Sequence, residues 1–320
     1  MQVKSKSVEG ASARGFAFSE LSFGRADLMM LGVVLIWGAG FSIVKETVSH
    51  FSPALFNAVR SAFAVIVLLI ALWSSGQRLR DTSAGWWRFI LLAVVGYFGY
   101  QVLFVFGIAK TTASNSSLLL ATVPVIVAAL NGIFGFERVR LAVWFGVLLS
   151  FAGIFRIIIG TGANFTWSAD TLLGDVLTLG AALAWAVYIV FSKPYLRAHS
   201  SLFVTTWAIG ISTICLWVIA LPDVPRIQWT QLPLSVWVGI LYTGVLGIAV
   251  AYLLWNSALK LVGGARVAVY ANLVTVVAVS SAALFLGEVI TPLEILGAGA
   301  VFAGIALTHW RGAKSVAESA

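Results

Sequence analysis

The stretch NSSLLLATVPVIVAALNGIFGFERVRLAVWFGVLLSFAGI, residues 115–154, holds two apolar runs with only Glu137-Arg138-Val139-Arg140 between them. Each run is long enough to cross a bilayer. An echo follows at residues 267–305, VAVYANLVTVVAVSSAALFLGEVITPLEILGAGAVFAGI. Glu137 aligns with Glu288, Gly146 with Gly297, and Phe151-Ala152-Gly153-Ile154 with Phe302-Ala303-Gly304-Ile305, all at one offset of 151 (288 − 137, 304 − 153). The start of each half repeats as well. Asp27, Leu31, Gly32, Leu35, Trp37 and Lys45 recur as Asp175, Leu179, Gly180, Leu183, Trp185 and Lys193, each 148 residues later (175 − 27, 193 − 45). Fixed long offsets in a hydrophobic chain mark an internal duplication.

Over 320 residues, 60% are hydrophobic and 10% charged, with a mean hydropathy of +1.00. No soluble domain hides that much apolar surface, so the composition is that of a polytopic membrane protein. At about 20 apolar residues per crossing, the runs predict ten spans, near 27–47, 53–73, 88–109, 115–135, 141–159, 172–192, 201–221, 235–258, 267–286 and 292–310. The polar, Ser-rich residues 1–25 contain no signal-peptide apolar region and are expected to form a disordered cytoplasmic tail. The lone cysteine, Cys215, sits inside an apolar run and reads as a packing residue.

The net charge of +8 does not point to nucleic acid, because the basic residues are scattered through short loops instead of forming a patch. With the N-terminus inside, fifteen of the 20 lie on inner segments: Lys4, Lys6, Arg14, Arg25, Arg78, Arg80, Arg88, Arg138, Arg140, Lys193, Arg197, Lys260, Arg266, Arg311 and Lys314. Lys45, Lys110, Arg156 and Arg226 fall outside, and Arg60 lies within a span. Such asymmetry sets the orientation by the positive-inside rule. Each half has an odd number of spans, so the second copy enters the membrane from the opposite face. The expected fold is an all-α integral membrane protein whose ten transmembrane helices form two inverted five-helix repeats, over 26–160 and 171–310, with a short cytoplasmic tail over 311–320.

Further residues carry a resemblance. They are Trp37-Gly38, Pro53 with Arg60, Ala109-Lys110 with Asn115, and Pro124 with Glu137. In the second half they are Ala258-Leu259-Lys260 and Leu286-Gly287-Glu288. In these, over 27–310, the chain resembles the EamA family of the drug/metabolite transporter superfamily. Two positions depart from the pattern: Thr275 stands where the proline matching Pro124 is usual, and Phe136 replaces the glycine before Glu137. The resemblance implies a secondary transporter, closest in kind to ten-helix amino-acid exporters. It further implies a multi-pass protein of a bacterial inner (cytoplasmic) membrane with both termini cytoplasmic.

A substrate site near the midplane needs apolar walls and a few convergent polar groups. The candidates near mid-span are Trp37, Tyr97, Tyr100, Gln101, Trp185, Tyr188, Tyr252, Asn256, Tyr270 and Asn272, with Arg60 about 10 Å into the second span from Pro53. Any one aromatic is equally well a packing or lipid-facing residue. Tyrosines grouped with Gln101, Asn256 and Asn272 point further, since amides in hydrocarbon need partners or water. Arg60 has two readings: snorkelling to the outer interface, or attraction of a carboxylate. For Asp27 and Asp175, N-capping and the helix dipole suffice, and Glu137 and Glu288 read as solvated turns.

No metal-ligand, nucleophile or P-loop string is present, so no catalytic residue, metal or cofactor is expected and the chain reads as a non-enzyme. No span carries a carboxylate at its centre, which disfavours proton-for-cation exchange. The expected partners are a small-molecule substrate and the lipid bilayer, without nucleic acid. The small-residue row Gly297, Gly299, Ala300 and Gly304 suits either internal packing or a homodimer seam, leaving monomer and homodimer both open. Rival readings are a carrier for another solute (a drug, nucleoside, nucleotide sugar or sugar phosphate) and a lipid-binding or scaffold protein that transports nothing.

Overall fold

The computed structural model describes residues 24–77, 86–108, 110, 119–135, 141–160, 169–286 and 291–309. Asn115, Glu137, Glu288, Arg78, Arg80, Arg138, Arg140 and both tails lie outside the described residues. What is described is helical and irregular throughout. In order, the helices are α1 (Arg25–Val48), α2 (Pro53–Ser74), α3 (86–108), α4 (Val123–Ile133), α5 (Leu141–Gly160) and α6 (Ala169–Phe191, extended by Lys193–Ala198). The second half continues with α7 (Ser201–Ala220), α8 (Leu234–Val262), α9 (Gly264–Leu286) and α10 (Pro292–His309).

Local chemistry explains the boundaries. Ser52 caps α2, its hydroxyl accepting from Leu55 N–H, and Ser200 caps α7 by accepting from Phe203 N–H. The two serines are repeat mates (200 − 52 = 148), so the duplication extends to the capping atoms. Gly263, at φ +84°, closes α8, a conformation that suits glycine. The fourth span was expected to begin at residue 115, which lies outside the described residues; residues 119–120 are helical, Thr122 then bonds back to Leu119 O in a turn, and α4 runs on from Val123. Pro124 suits the first turn of α4, because it offers no N–H and that position needs none.

Among the described residues, two helices carry π-helical segments, and they are repeat mates. Ala93–Phe98 in α3 and Tyr242–Val250 in α8 are π-helical. Such segments are rare and concentrate at functional sites.

Among the described residues, five helices are long and apolar enough to cross a membrane: Pro53–Ser74, Trp86–Gly107, Leu172–Ala198, Ser201–Arg226 and Leu234–Val262. Shorter apolar stretches are Val123–Ile133, Val143–Arg156, Arg266–Val277 and Ile295–Ile305. Large apolar side chains such as Ile70, Trp73, Phe145, Val218 and Phe302 point outward, the pattern lipid solvates well.

The two halves interlock. Helix α1 packs on α8 and α9, its counterpart α6 packs on α3 and α4, α2 pairs with α7, and α5 pairs with α10. In the last pair, the place where a side chain on Gly153 would go is filled by Gly297 O and Val301. On Gly304 it is filled by Gly146 O and Ser150. One index rises as the other falls, so α5 and α10 run antiparallel here, and each contact joins the repeat mates of the other. Ser150 Oγ also donates to Val301 O at 3.4 Å. Gly297 and Gly304 therefore serve internal packing, whereas Gly299 has nothing within 4 Å of where its side chain would begin among the described residues.

Candidate functional site

The site grows from a charged side chain in an apolar setting. Arg60 lies two turns into α2 and is only 9% exposed. Its Nε donates to Asn57 Oδ1 at 2.8 Å, and Nη2 donates to Gln101 Oε1 at 3.4 Å. Residues 57 and 60 are three apart and share a helix face. Asn57 Nδ2 also reaches Gln101 O on α3 at 3.4 Å, and the Phe56 ring centroid lies 4.9 Å from the guanidinium carbon. On the other side, Gly244 of α8 leaves no side chain between the helices and rests against Arg60 O. Among the described residues Arg60 makes no ion pair. Burying a cation among neutral amides costs free energy that a matching anion would recover.

Beside this charge stands a cluster of rings. Trp185 of α6 lies 5.2–6.3 Å, centroid to centroid, from Tyr97, Tyr100, Tyr188, Tyr252 and Trp255. Trp37 of α1 lies 5.4 Å from both Tyr252 and Trp255, and Tyr97 meets Tyr252 at 4.9 Å. Arg60 is within electrostatic range of Tyr97, Tyr100 and Tyr252. Asn256 ties the base together, donating to Tyr188 Oη at 3.1 Å and to Thr205 Oγ1 at 2.8 Å. Helices from both repeats thus supply one wall each.

The π segments explain how this wall is shaped. A π turn moves carbonyls out of the regular ladder. Gly247 O accepts from Trp37 Nε1 at 2.9 Å, and the Tyr242 hydroxyl donates to Ile36 O at 3.0 Å. In α3 the π segment carries Tyr97 against Trp185 and Tyr188. The repeat mates Trp37 and Trp185 each dock on the π segment of the opposite repeat.

Of the candidates read from sequence, Trp37, Arg60, Tyr97, Tyr100, Gln101, Trp185, Tyr188, Tyr252 and Asn256 meet in this one region. Tyr270 does not. Its hydroxyl donates to Asp27 Oδ1 at 2.6 Å, near the start of α1, where Arg266 Nη2 also reaches Asp27 at 3.1 Å. Asn272 is buried on α9, and its amide has no hydrogen-bond partner among the described residues. Asp27 departs from expectation as well. It sits at the third helical position, not the cap, and takes Gly24 N–H at 2.7 Å. It is 1% exposed and bound to α9, so its role exceeds capping.

Sequence reading missed Asn57, Thr205 and Trp255. A signal existed for the first two, because Asn57 and Thr205 are repeat mates (205 − 57 = 148) one face from Arg60 and Asn256. Trp255 is three residues after Tyr252 and hence on its face. No cluster of three or more His, Cys, Asp or Glu side chains suited to a metal occurs among the described residues. The arrangement can hold a carboxylate at Arg60 and enclose an apolar body against the rings.

Comparison with known proteins agrees with this architecture. The model of the EamA-like transporter family matches residues 24–159 and 172–310. An uncharacterized transporter of Archaeoglobus fulgidus is 30% identical over 288 residues, covering 89% of this chain and 97% of that protein. The uncharacterized transporter YyaM of Bacillus subtilis is 26% identical, with 87% and 91% covered. A probable terminal-alkyne amino-acid exporter of Streptantibioticus cattleyicolor is 27% identical, with 91% and 95% covered. One solved crystal structure shares the fold with a TM-score of 0.76 at 18% identity, over 88% of this chain and 95% of that one.

Proposed function

The chain belongs to the EamA-like transporter family, and from that premise we propose that it exports small organic metabolites bearing a carboxylate and a bulky apolar or aromatic body. Amino acids and the carboxylic acids that share their side chains both belong to this class. The observation that carries this reading is Arg60, a buried guanidinium without an acidic partner among the described residues, facing a cluster of rings supplied by both repeats. Kinship with a probable amino-acid exporter supports the class.

In this reading ten spans, arranged as two inverted repeats with both termini on the cytoplasmic side of a bacterial inner membrane, rock about the ring cluster. The reciprocal contacts Gly153–Gly297 and Gly146–Gly304 support inversion, since antiparallel repeat mates meeting this way imply a two-fold axis across the helices. When one side opens, α1 and α9 separate on the side where Asp27 and Arg266 meet. A phosphorylated solute fits less well, because it calls for several clustered cations and Arg60 is the one arginine or lysine in the ring region among the described residues. The protein acts as a monomer or a homodimer.

The test is uptake into proteoliposomes of labelled phenylalanine, leucine, phenylpyruvate, a nucleoside and a sugar phosphate. Saturable flux of at least one carboxylate-bearing apolar solute is expected. Absence of flux for the whole panel, with folded protein in the bilayer, overturns the transport reading in favour of a scaffold.

A further inference from the structure

We propose that the Arg60 site takes the monoanion of a bulky or aromatic carboxylic acid in preference to the corresponding zwitterionic amino acid. Each transport cycle then moves one net negative charge and is driven by the membrane potential. This rests on the reading of Arg60 as the ligand for the substrate's carboxylate.

The charges that surround the site decide which solute it favours. Asn57 and Gln101, which bond Arg60, are neutral acceptors. The groups facing it from the packed elements are also neutral: Tyr97 and Tyr100 on α3, Tyr252 on α8 and Phe56 on its own helix. The described acids whose surroundings are known lie elsewhere. Asp27 is held by Arg266 and Tyr270, Asp223 is held by Arg226 and Ser52, Glu46 is exposed at the end of α1, and Asp175 lies early in α6. Asp170 and Glu294 lie in the first turns of α6 and α10, and the remaining acids lie outside the described residues. The histidines, His50, His199 and His309, lie near helix ends. Among the described residues, therefore, the site carries a charge of +1, with no carboxylate or imidazole beside it.

Two consequences follow from elementary electrostatics. A monocarboxylate brings the site to neutrality. The ammonium of an α-amino acid would sit about 6 Å from the guanidinium, and at an effective dielectric constant of ~20 that repulsion weakens binding on the order of a hundredfold. Cation–π attraction from the rings returns part of this. We expect the zwitterion to bind at least about tenfold more weakly.

The second consequence concerns energy. A buried acid is the usual means of trading a proton for a substrate, and none is present near the rings among the described residues. The cycle then moves only the substrate's charge. For a monoanion the equilibrium distribution changes about tenfold for each ~59 mV of potential. A membrane negative on the inside drives such a solute out without a coupling ion.

The experiment uses the full chain in liposomes clamped by a potassium gradient with valinomycin. Phenylpyruvate is the monoanion probe, since its strongly acidic carboxyl keeps the membrane-permeant neutral form scarce, and phenylalanine is the zwitterion probe. Protein-free liposomes set the background. The expected result is saturable phenylpyruvate flux with a distribution that shifts about tenfold per ~59 mV, and phenylalanine flux at least about tenfold lower. Arg60→Gln removes the phenylpyruvate flux while Arg60→Lys restores part of it, with folding checked for each by thermal unfolding. Phenylalanine carried in preference to phenylpyruvate overturns the proposal and leaves the transport reading standing. So does phenylpyruvate flux that ignores the potential. Failure of both probes together with leucine and every other solute in the panel removes the transport reading itself.

Discussion

Two repeat-related faces meet at the ring cluster, and they are unequal. On α2 stand Asn57 and Arg60, and at the corresponding positions of α7 stand Thr205 and Ala208. The polar members keep parallel roles: Asn57 bonds Arg60 and Gln101, and Thr205 accepts from Asn256. The charge exists in one copy only. Duplication accounts for the scaffold, with its matched serine caps, matched π segments and reciprocal glycine contacts. The departure from symmetry is where substrate recognition is to be sought. The same holds at the ends of α1 and α6. Asp27 is buried against Arg266 and Tyr270, whereas its mate Asp175 is half-buried.

The largest expected effect breaks the first comparison. Arg60→Ala is expected to reduce carboxylate flux about a thousandfold, near 4 kcal/mol, the cost of truncating one partner of a buried charge pair. Thr205→Val on the opposite face should change flux less than about tenfold. Equal losses from the two, measured as initial rates in proteoliposomes, would show that the asymmetry carries no recognition.

The next effect concerns the helix ends. Asp27→Asn takes the buried carboxylate away from Arg266 Nη2 and Tyr270 Oη and is expected to cost about 3 kcal/mol, at the low end for a buried pair because Arg266 keeps some contact with solvent. Asp175→Asn should cost clearly less. Thermal unfolding in detergent compares them, and a larger loss for Asp175→Asn would reverse the assignment of the tighter contact.

The seam comes third. Gly304→Leu places carbon against the Gly146 backbone, which cannot yield, and is expected to cost about 2 kcal/mol. Gly153→Leu, its repeat mate, should cost a similar amount. Gly299→Leu, facing open space, should stay within about 0.5 kcal/mol. If Gly299→Leu proves as harmful, that face packs against something beyond the described residues. The smallest effect is Trp37→Phe, which keeps a ring but loses the bond to Gly247 O, for about 1 kcal/mol in unfolding.

Much of the site was legible because mid-span polar residues are few in so apolar a chain, and few positions could hold them. Arg60, Gln101 and Asn256 announced themselves this way. Tyr270 shows the limit. Its spacing and surroundings resemble those of Tyr252, yet it turns to Asp27, 243 residues away in sequence. Asp27 was legible as an acid in a first turn but not as a buried one, because its partners lie on α9. Trp255 and Thr205 were passed over although the repeat and the three-residue spacing pointed to them.

By itself the sequence determined the solvent and the plan. Runs of apolar residues long enough for a bilayer leave helices as the means of satisfying the backbone, and the offsets of 148 and 151 residues reveal the duplication. Only the tertiary structure decided which faces meet. A helix apolar all round carries no stripe to mark its buried side. The pairings that build the site, Trp37 with Gly247, Arg60 with Gln101 and Asn256 with Thr205, therefore emerge from helix packing between chain segments 41 to 210 residues apart.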